Sequence, residues 1–265
     1  MYKTTRLSLL LIGLLAFSYA SVSTAQELCL QGCPTGASVT NKTIQRPIYV
    51  LSNNGKTKFA DWVAYQVTKE TIGPTKKRVW KIDPGLDPNE TLAPADYQGI
   101  RDVLNSDRGH QAPLASVTGT PHWETANYLS NITPQKAALN QGPWERLESA
   151  ERDLARSPSV SAVYTVTGTL YEQKMAKLPK AKRDHSVPSG YWKIIAVQAG
   201  NAIRTAGFIF HQETARNANY CNYHKTVGEI EERTKLTFFT KLSKEAHDQI
   251  AGEEGNLLNA LGCRD

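Results

Sequence analysis

Apolar residues alternate with polar ones, or form short apolar runs, in four regions of the chain. The segment RPIYVLSNNGKTKFADWVAYQVT has two runs rich in valine, tyrosine and tryptophan on either side of Asn53-Asn54-Gly55, a typical hairpin sequence. Similar runs cover residues 161–171, 191–198 and 203–212. These patterns predict strands that share a central antiparallel sheet.

A helical period of apolar residues appears in three other segments. It covers residues 138–155 and 243–252, and a third helix is predicted after Thr226, which together with Glu229 forms a capping box. Residues 83–96 are rich in proline and show no period, so they are predicted to be a loop. The predicted fold class is therefore α+β, with a central antiparallel β-sheet flanked by helices.

The first 25 residues have the features of a secretory signal peptide. Lys3 and Arg6 precede an apolar run that is too short to cross a bilayer, and small residues follow it. We therefore expect cleavage after Ala25, a secreted protein with no membrane association once the signal is removed, and one domain over residues 26–265.

The chain is only mildly basic. Residues 1–25 carry two of the 31 basic residues and none of the 25 acidic ones, so cleavage lowers the formal charge from +6 to +4. A nucleic-acid partner would have to meet a local patch. The candidates are Lys76, Lys77, Arg78 and Lys81, and the cluster Lys174, Lys177, Lys180, Lys182 and Arg183, for which ordinary solvated lysines are the simpler interpretation.

Four cysteines remain after cleavage: Cys29, Cys33, Cys221 and Cys263. An even number in an exported chain favours disulfides, and of the three possible pairings the local one, Cys29 with Cys33 and Cys221 with Cys263, closes the least chain. A zinc site made of Cys29, Cys33, Cys221 and His224 stays open as an alternative, although the spacing is not that of a zinc finger.

His110 is the one histidine that lies among charged residues with a glycine beside it, in the stretch DRGHQAPLA (residues 107–115). Gly109 permits either a close backbone approach or a positive φ, and Pro113 ends the local element. This composition is consistent with an imidazole at the mouth of a cleft. A solvated histidine in a turn is the structural alternative.

The segment NYLSNITPQKAALNQGPWERLE (residues 127–148) is unusually rich in carboxamides. Asn140, Trp144, Glu148 and Arg152 follow one another at four-residue steps, so they are predicted to share a helix face if Asn140 caps that helix before Pro143. Asn140 and Glu148 could then face one site. An ordinary N-cap and a surface Glu148–Arg152 pair explain the same residues without a function.

These two segments, taken in order, resemble the signature of the DNA/RNA non-specific endonucleases with the ββα-metal motif. LSNNGKTKFADWVAYQVTK, LAPADY, VYTVTG and the four cysteines extend the resemblance over nearly the whole mature chain. The resemblance implies a ββα-metal active-site motif within the α+β fold, and the local disulfide pairing.

The resemblance also assigns roles to individual residues. It implies that His110 is the general base, that Asn140 is the direct protein ligand of Mg²⁺, and that Glu148 orders water around the ion. Arg78 and Arg152 match arginines that meet the phosphate, and Arg108 and Asn131 match supporting positions.

The function expected from this resemblance is a secreted, Mg²⁺-dependent endonuclease, with Mn²⁺ as a possible substitute. It would hydrolyse single- and double-stranded DNA and RNA to 5′-phosphorylated oligonucleotides, and the chain could form a homodimer. Two alternatives remain: a non-catalytic exported nucleic-acid-binding module, and a specialised phosphodiesterase or toxin nuclease.

Overall fold

The computed structural model describes residues 28–200 and 202–263. The predicted signal peptide and its cleavage site lie outside these residues. None of the helices in the described part is long and apolar enough to cross a membrane.

A seven-stranded antiparallel sheet forms the centre of the fold, in the order β1-β2-β3-β6-β7-β8-β9, and a separate two-stranded ribbon consists of β4 and β5. The strands are β1 Lys42–Arg46, β2 Tyr49–Asn54, β3 Phe59–Val67, β4 Ser106–His110, β5 Ile132–Lys136, β6 Val163–Leu170, β7 Gly190–Ala199, β8 Ala202–His211 and β9 His224–Lys225. The helices are α1 Ile100–Leu104, α2 Ala137–Leu139, α3 Glu145–Ala155, α4 Val227–Thr234 and α5 Lys244–Gly252, with short 3₁₀ turns between elements.

The predicted antiparallel sheet and its flanking helices are confirmed. The hairpin predicted around Asn53-Asn54-Gly55 is present and joins β2 to β3. Two hydrogen bonds close its turn: Lys56 N donates to the Asn54 side-chain oxygen, and Lys58 N donates to Asn54 O at 2.8 Å. The capping box before α4 is also present, with Thr226 Oγ1 and the Glu229 carboxylate each accepting the other residue's backbone N–H.

Both faces of the sheet are buried, which the alternation along β3 makes clear. Val63 and Tyr65 point into an apolar cluster with Leu147 of α3, while Trp62 and Ala64 point into a second cluster with Ile230 of α4. Helices therefore cover apolar side chains on both faces of the sheet, which would otherwise be exposed to solvent. A third, smaller cluster lies under the β4–β5 ribbon.

A buried polar network fixes α3 on its face of the sheet. Lys193 of β7 and Glu151 of α3 form an ion pair at 3.3 Å, and both side chains are fully inaccessible to solvent. Tyr65 Oη donates to the Glu151 carboxylate at 3.1 Å and accepts from Lys193 Nζ at 2.8 Å, and Thr165 Oγ1 also donates to Glu151. The Lys193 ammonium lies 4.8 Å from the centroid of the Trp144 ring. Each charge is thus compensated inside the core.

Removal of one partner of this ion pair should strongly destabilise the fold. We expect Glu151→Ala to lower the free energy of unfolding by about 3–5 kcal/mol, because it leaves the Lys193 charge buried and uncompensated. Urea unfolding with intact disulfides measures this.

The matched control is Asp153→Ala, on the exposed side of the same helix, where we expect a change within about 0.5–1 kcal/mol. The double variant Glu151→Leu/Lys193→Met should recover most of the loss, since it removes both charges and keeps the volume. A loss below about 1 kcal/mol for Glu151→Ala would show that the pair does not hold α3.

Candidate active site

The β4–β5 ribbon and α3 together form one wall of a cavity of about 960 Å³. In β4, His110 lies opposite Ile132 and Gly109 lies opposite Thr133 of β5. A Cβ on Gly109 would lie 2.5 Å from Gln135 Oε1, so glycine is needed here for close approach and not for a positive φ. The ribbon and the following helix give the expected ββα arrangement.

Six of the seven predicted site residues line this cavity. They come from the segment before the ribbon, from β4 and from the region of α3, and they are Arg78, Arg108, His110, Asn140, Glu148 and Arg152. The seventh, Asn131, is fully buried and does not line the cavity.

Asn131 connects the two chain segments beside His110. Its Oδ1 accepts from Ala112 N at 2.8 Å, and its Nδ2 donates to the carbonyl oxygens of Ala112 and Ala126, each at 2.9 Å. All the hydrogen-bonding capacity of the amide nitrogen is therefore used within the fold. The resemblance gave Asn131 a supporting position, and these bonds show that its side chain holds the backbone of Ala112 against that of Ala126.

His110 is oriented by a side chain that the sequence analysis did not assign. Its Nε2 lies 3.2 Å from Asn127 Oδ1, an oxygen that can only accept, so we assign the ring proton to Nε2. Nδ1 is then the unprotonated nitrogen. Lys81 N donates to Asn127 O at 3.2 Å and holds this residue in place.

The environment of His110 keeps the imidazole neutral. Burial at the cavity wall lowers the pKa of His110 to about 4, and the positive charge of Arg78 acts in the same direction against the opposing hydrogen bond from Asn127. The Trp80 ring, 5.3 Å away between centroids, contributes to this apolar surrounding. His110 is therefore a proton acceptor throughout the neutral pH range.

Asn140 does not cap a helix, which corrects the predicted cap. Helix α3 begins only at Glu145, after a π-type turn over Asn140–Trp144 in which Gly142 is non-helical. Glycine is needed at this bend, because a Cβ on Gly142 would be 2.5 Å from the Arg216 carbonyl oxygen.

The side chain of Asn140 instead bonds to Asp107, the first residue of the DRGH stretch. Asn140 Nδ2 donates to Asp107 Oδ2 at 2.9 Å, and Gln141 Nε2 donates to the same oxygen at 2.7 Å, while Arg101 pairs with the other oxygen. With its nitrogen held, the Asn140 amide presents its oxygen as the free group. Sequence reasoning missed Asp107 because only the fold brings it beside residue 140.

Glu148 and Arg152 line the cavity from α3. Trp144, which was predicted to share their face if Asn140 capped the helix, is only 1% exposed and packs against Tyr191 and Phe210, with its indole also near the Glu148 carboxyl group. Arg152 contacts Glu145 at 3.7 Å, and its buried Nη1 donates to no acceptor in the described part of the chain. Arg152 also lines the cavity, and an unsatisfied buried donor in a native structure needs a structural or functional explanation.

Burial raises the pKa of Glu148 to about 7. The charges of Lys193 and Arg152 oppose this effect, and the nearby Glu151 carboxylate adds to it. The carboxyl group thus changes its charge near neutral pH, in a cavity where His110 stays neutral.

Arg108 and Arg78, the two remaining predicted arginines, differ in the contacts that hold their guanidinium groups. Arg108 donates to Pro94 O at 2.9 Å, and its guanidinium lies 5.5 Å from the ring centroids of Trp80 and of Tyr97. Arg78 is exposed, and no ion pair holds it among the described residues. Arg78 is therefore the more available of the two for an anionic ligand.

The zinc alternative is wrong. Cys29 is bonded to Cys33 and Cys221 to Cys263, which is the local pairing, so no thiolate is left for a metal in the described residues. Within residues 28–200 and 202–263, no group of three or more histidine, cysteine or carboxylate side chains is arranged so that it could hold a metal ion.

Comparison with known proteins places this geometry in a family context. The model of the DNA/RNA non-specific endonuclease family matches residues 25–245. A nuclease from Serratia marcescens is 48% identical over 260 residues, which is 97% of each chain. Human mitochondrial endonuclease G is 29% identical over 185 residues, 65% of this chain and 59% of that protein.

A solved structure shares the fold. A chain in the crystal structure of an EndoG/EndoGI complex superimposes with a TM-score of 0.72, over 86% of this chain and 96% of that chain, at 21% identity.

The low pKa of His110 can be tested without catalysis. In the protein with chelator present, we expect the NMR titration midpoint of His110 below pH 5, and its signal to vanish in His110→Gln. Because the pKa of the folded state is lowered, His110 favours folding above about pH 6.5, and this contribution is lost as the pH falls through about 4. A midpoint near the ordinary histidine value would refute the proposed desolvation of the ring.

Proposed function

The chain belongs to the DNA/RNA non-specific endonuclease family and is an endonuclease. From this premise we propose that it hydrolyses DNA and RNA with His110 as general base and a Mg²⁺ ion held at Asn140. One observation carries the proposal. A neutral imidazole and a carboxamide oxygen, each belonging to a side chain fixed by a hydrogen bond at its other end, line the same cavity as Arg78, Arg108 and Arg152.

The hydrolysis step follows from the protonation state of His110. Nδ1 takes a proton from a water molecule, and the resulting hydroxide attacks phosphorus in line with the 3′ oxygen. The P–O3′ bond breaks, and the 3′ oxygen takes up a proton from solvent. The phosphate stays on the 5′ oxygen, so the products are 5′-phosphorylated oligonucleotides with 3′ hydroxyl ends.

The arginines stabilise charge that develops during the attack. Arg78 and Arg152 line the cavity from two different chain segments. Arg152 Nη1 is a buried donor without an acceptor among the described residues, and a phosphoryl oxygen would accept its hydrogen bond. Arg108 supports the same wall through its contacts with Trp80 and Tyr97. Asn131 acts indirectly, because it holds the chain next to His110.

The donor set fits Mg²⁺. Magnesium prefers six oxygen ligands and keeps several waters, so one carboxamide oxygen with a carboxylate nearby is a suitable protein contribution. Asn140 would hold the ion directly, and Glu148 would accept hydrogen bonds from water around it. When bound, Mg²⁺ supplies positive charge to the phosphate oxygens and the leaving oxygen. Mn²⁺ takes similar oxygen ligands and should substitute.

The proposed lack of selectivity follows from what these side chains address. His110, Asn140 and the arginines act on the phosphodiester group, which is the same at every nucleotide and in both DNA and RNA. Single- and double-stranded substrates both present it. The substrates proposed here are therefore DNA and RNA in either form.

We also propose that the protein is secreted as one nuclease domain, residues 26–265, after removal of residues 1–25. Two disulfides in the described residues support this, because such bonds persist in oxidising compartments. A homodimer remains a prediction of the resemblance, which sedimentation would test.

One assay discriminates among the functional alternatives. Plasmid DNA and total RNA are incubated with the purified protein in Mg²⁺, and then with a chelator. Digestion of both that stops on chelation supports the proposal, whereas selective digestion would support a specialised phosphodiesterase. A non-catalytic binding module is already disfavoured, because the family and the relatives are nucleases.

His110→Ala should lower kcat on both DNA and RNA by about 10²- to 10⁴-fold, since the variant has no base at this position. Initial rates at saturating Mg²⁺ measure the effect. His122→Ala is the control, because His122 is exposed and lies outside the cavity lining. A rate close to that of the wild type in His110→Ala would remove the imidazole from the mechanism.

Asn140→Ala should raise the Mg²⁺ concentration for half-maximal activity by roughly tenfold or more. Gln141→Ala is the matched control, because both side chains donate to Asp107 Oδ2 and only Asn140 is the proposed ligand. Rates over a Mg²⁺ series distinguish the two variants. Equal shifts in both would indicate that the loss of a hydrogen bond to Asp107, and not the loss of a ligand, causes the effect.

A further inference from the structure

The lysine-rich stretch of residues 174–183, called here the basic segment, takes no part in the function proposed above. Two of its five cations are already paired: Lys177 with Asp184, and Arg183 with Asp96 at 3.1 Å. The other three, Lys174, Lys180 and Lys182, are exposed and form no ion pair with any described residue. The segment thus presents three unpaired positive charges.

The basic segment is held firmly by buried side chains. Leu178 is 3% exposed and lies in an apolar cluster with Tyr97 and Ile100. His185, also buried, accepts from Leu178 N through Nε2 at 3.0 Å and donates from Nδ1 to Arg183 O at 2.9 Å. These contacts fix the backbone that carries the three lysines, so little ordering of this backbone is needed when a ligand binds.

The same apolar cluster joins the basic segment to the wall of the active-site cavity. Tyr97 and Ile100 line the cavity, and both pack in the cluster with Leu178. Gly99, which also lines the cavity, faces Pro179, whose Cγ is 3.7 Å from the position a Cβ of Gly99 would occupy. Lys180 follows Pro179 directly in the chain, so the middle of the basic segment lies beside the cavity rim.

We propose that Lys174, Lys180 and Lys182 bind the sugar-phosphate backbone of a polynucleotide beyond the nucleotides that occupy the cavity. The inference rests on the proposed function and extends its substrate to long chains. Lysines act on phosphates as point charges and read no bases, which agrees with a substrate recognised by its backbone. Duplex DNA carries a phosphate about every 3.4 Å along each strand, so a strand that leaves the cavity past Pro179 offers several phosphates to this segment.

The consequence is a preference for length. A short oligonucleotide fills the cavity and gains nothing from the basic segment, whereas a longer duplex contacts both surfaces. Loss of the three lysines should therefore weaken binding of the long ligand alone. It should also reduce the salt dependence of that binding, because fewer counterions are released.

The test compares two variants in a His110→Ala background with chelator present, so that binding is measured without cleavage. One variant is Lys174→Gln/Lys180→Gln/Lys182→Gln. The matched control is Lys69→Gln/Lys235→Gln/Lys241→Gln, which changes the net charge equally at exposed positions outside the cavity lining. Fluorescence anisotropy gives the Kd of a labelled duplex of about 40 base pairs and of a labelled hexanucleotide, at NaCl concentrations from about 50 to 200 mM.

We expect the first variant to raise the Kd of the duplex by about tenfold or more at low salt. The slope of log Kd against log salt concentration should fall by up to about 2–3. The hexanucleotide and the control variant should change little. An unchanged duplex Kd, an equal loss for the hexanucleotide, or an equal loss in the control variant would each overturn the inference.

This outcome is independent of the catalytic proposal. If the wild-type protein fails to digest DNA and RNA in Mg²⁺ but the duplex still binds through the three lysines, the proposed catalytic chemistry fails and the binding surface stands. If the wild type digests both and the lysine variant binds the duplex normally, only the binding surface fails.

Discussion

The fully buried ion pair between Lys193 and Glu151 sets the orientation of α3, and the geometry of the cavity depends on that orientation. Glu151 can reach Lys193, Tyr65 and Thr165 only when its side of the helix faces the sheet. Glu148, three residues earlier, is then turned toward the cavity. A helix held by apolar contacts alone could rotate to other packings of similar energy. A buried ion pair instead requires one orientation of the helix on the sheet, because only that orientation brings the two charges together.

Asp107 performs a similar function between the ribbon and the turn before α3. It precedes the catalytic histidine candidate by three residues in β4, and its carboxylate holds the amide nitrogens of Asn140 and Gln141. The DRGH stretch therefore carries both the proposed base and the group that orients the proposed metal ligand. A shift of β4 would move both together, which keeps their separation constant.

The features that the sequence predicted correctly depend on local chemistry. The hairpin at Asn53-Asn54-Gly55 and the capping box of Thr226 and Glu229 are formed by residues within a few positions of each other. The errors concern residues whose partners are distant in the chain. Asn140 was predicted as a cap because its bond to Asp107, 33 residues away, has no local signature. The π-type turn before α3 has no signature in a regular helical period either, so the predicted start of this helix was wrong.

Burial shifts the pKa values of two cavity-lining groups, His110 and Glu148, in opposite directions. It disfavours the charged form of each, so it lowers the pKa of His110 to about 4 and raises that of Glu148 to about 7. The neutral imidazole is the state a general base needs, but a protonated Glu148 cannot accept hydrogen bonds with both oxygens. Positive charge near Asn140 would stabilise the ionised carboxylate and would disfavour protonation of His110. The burial that keeps the base neutral therefore favours a neutral carboxyl group as well, and a cation at Asn140 would offset this effect on Glu148.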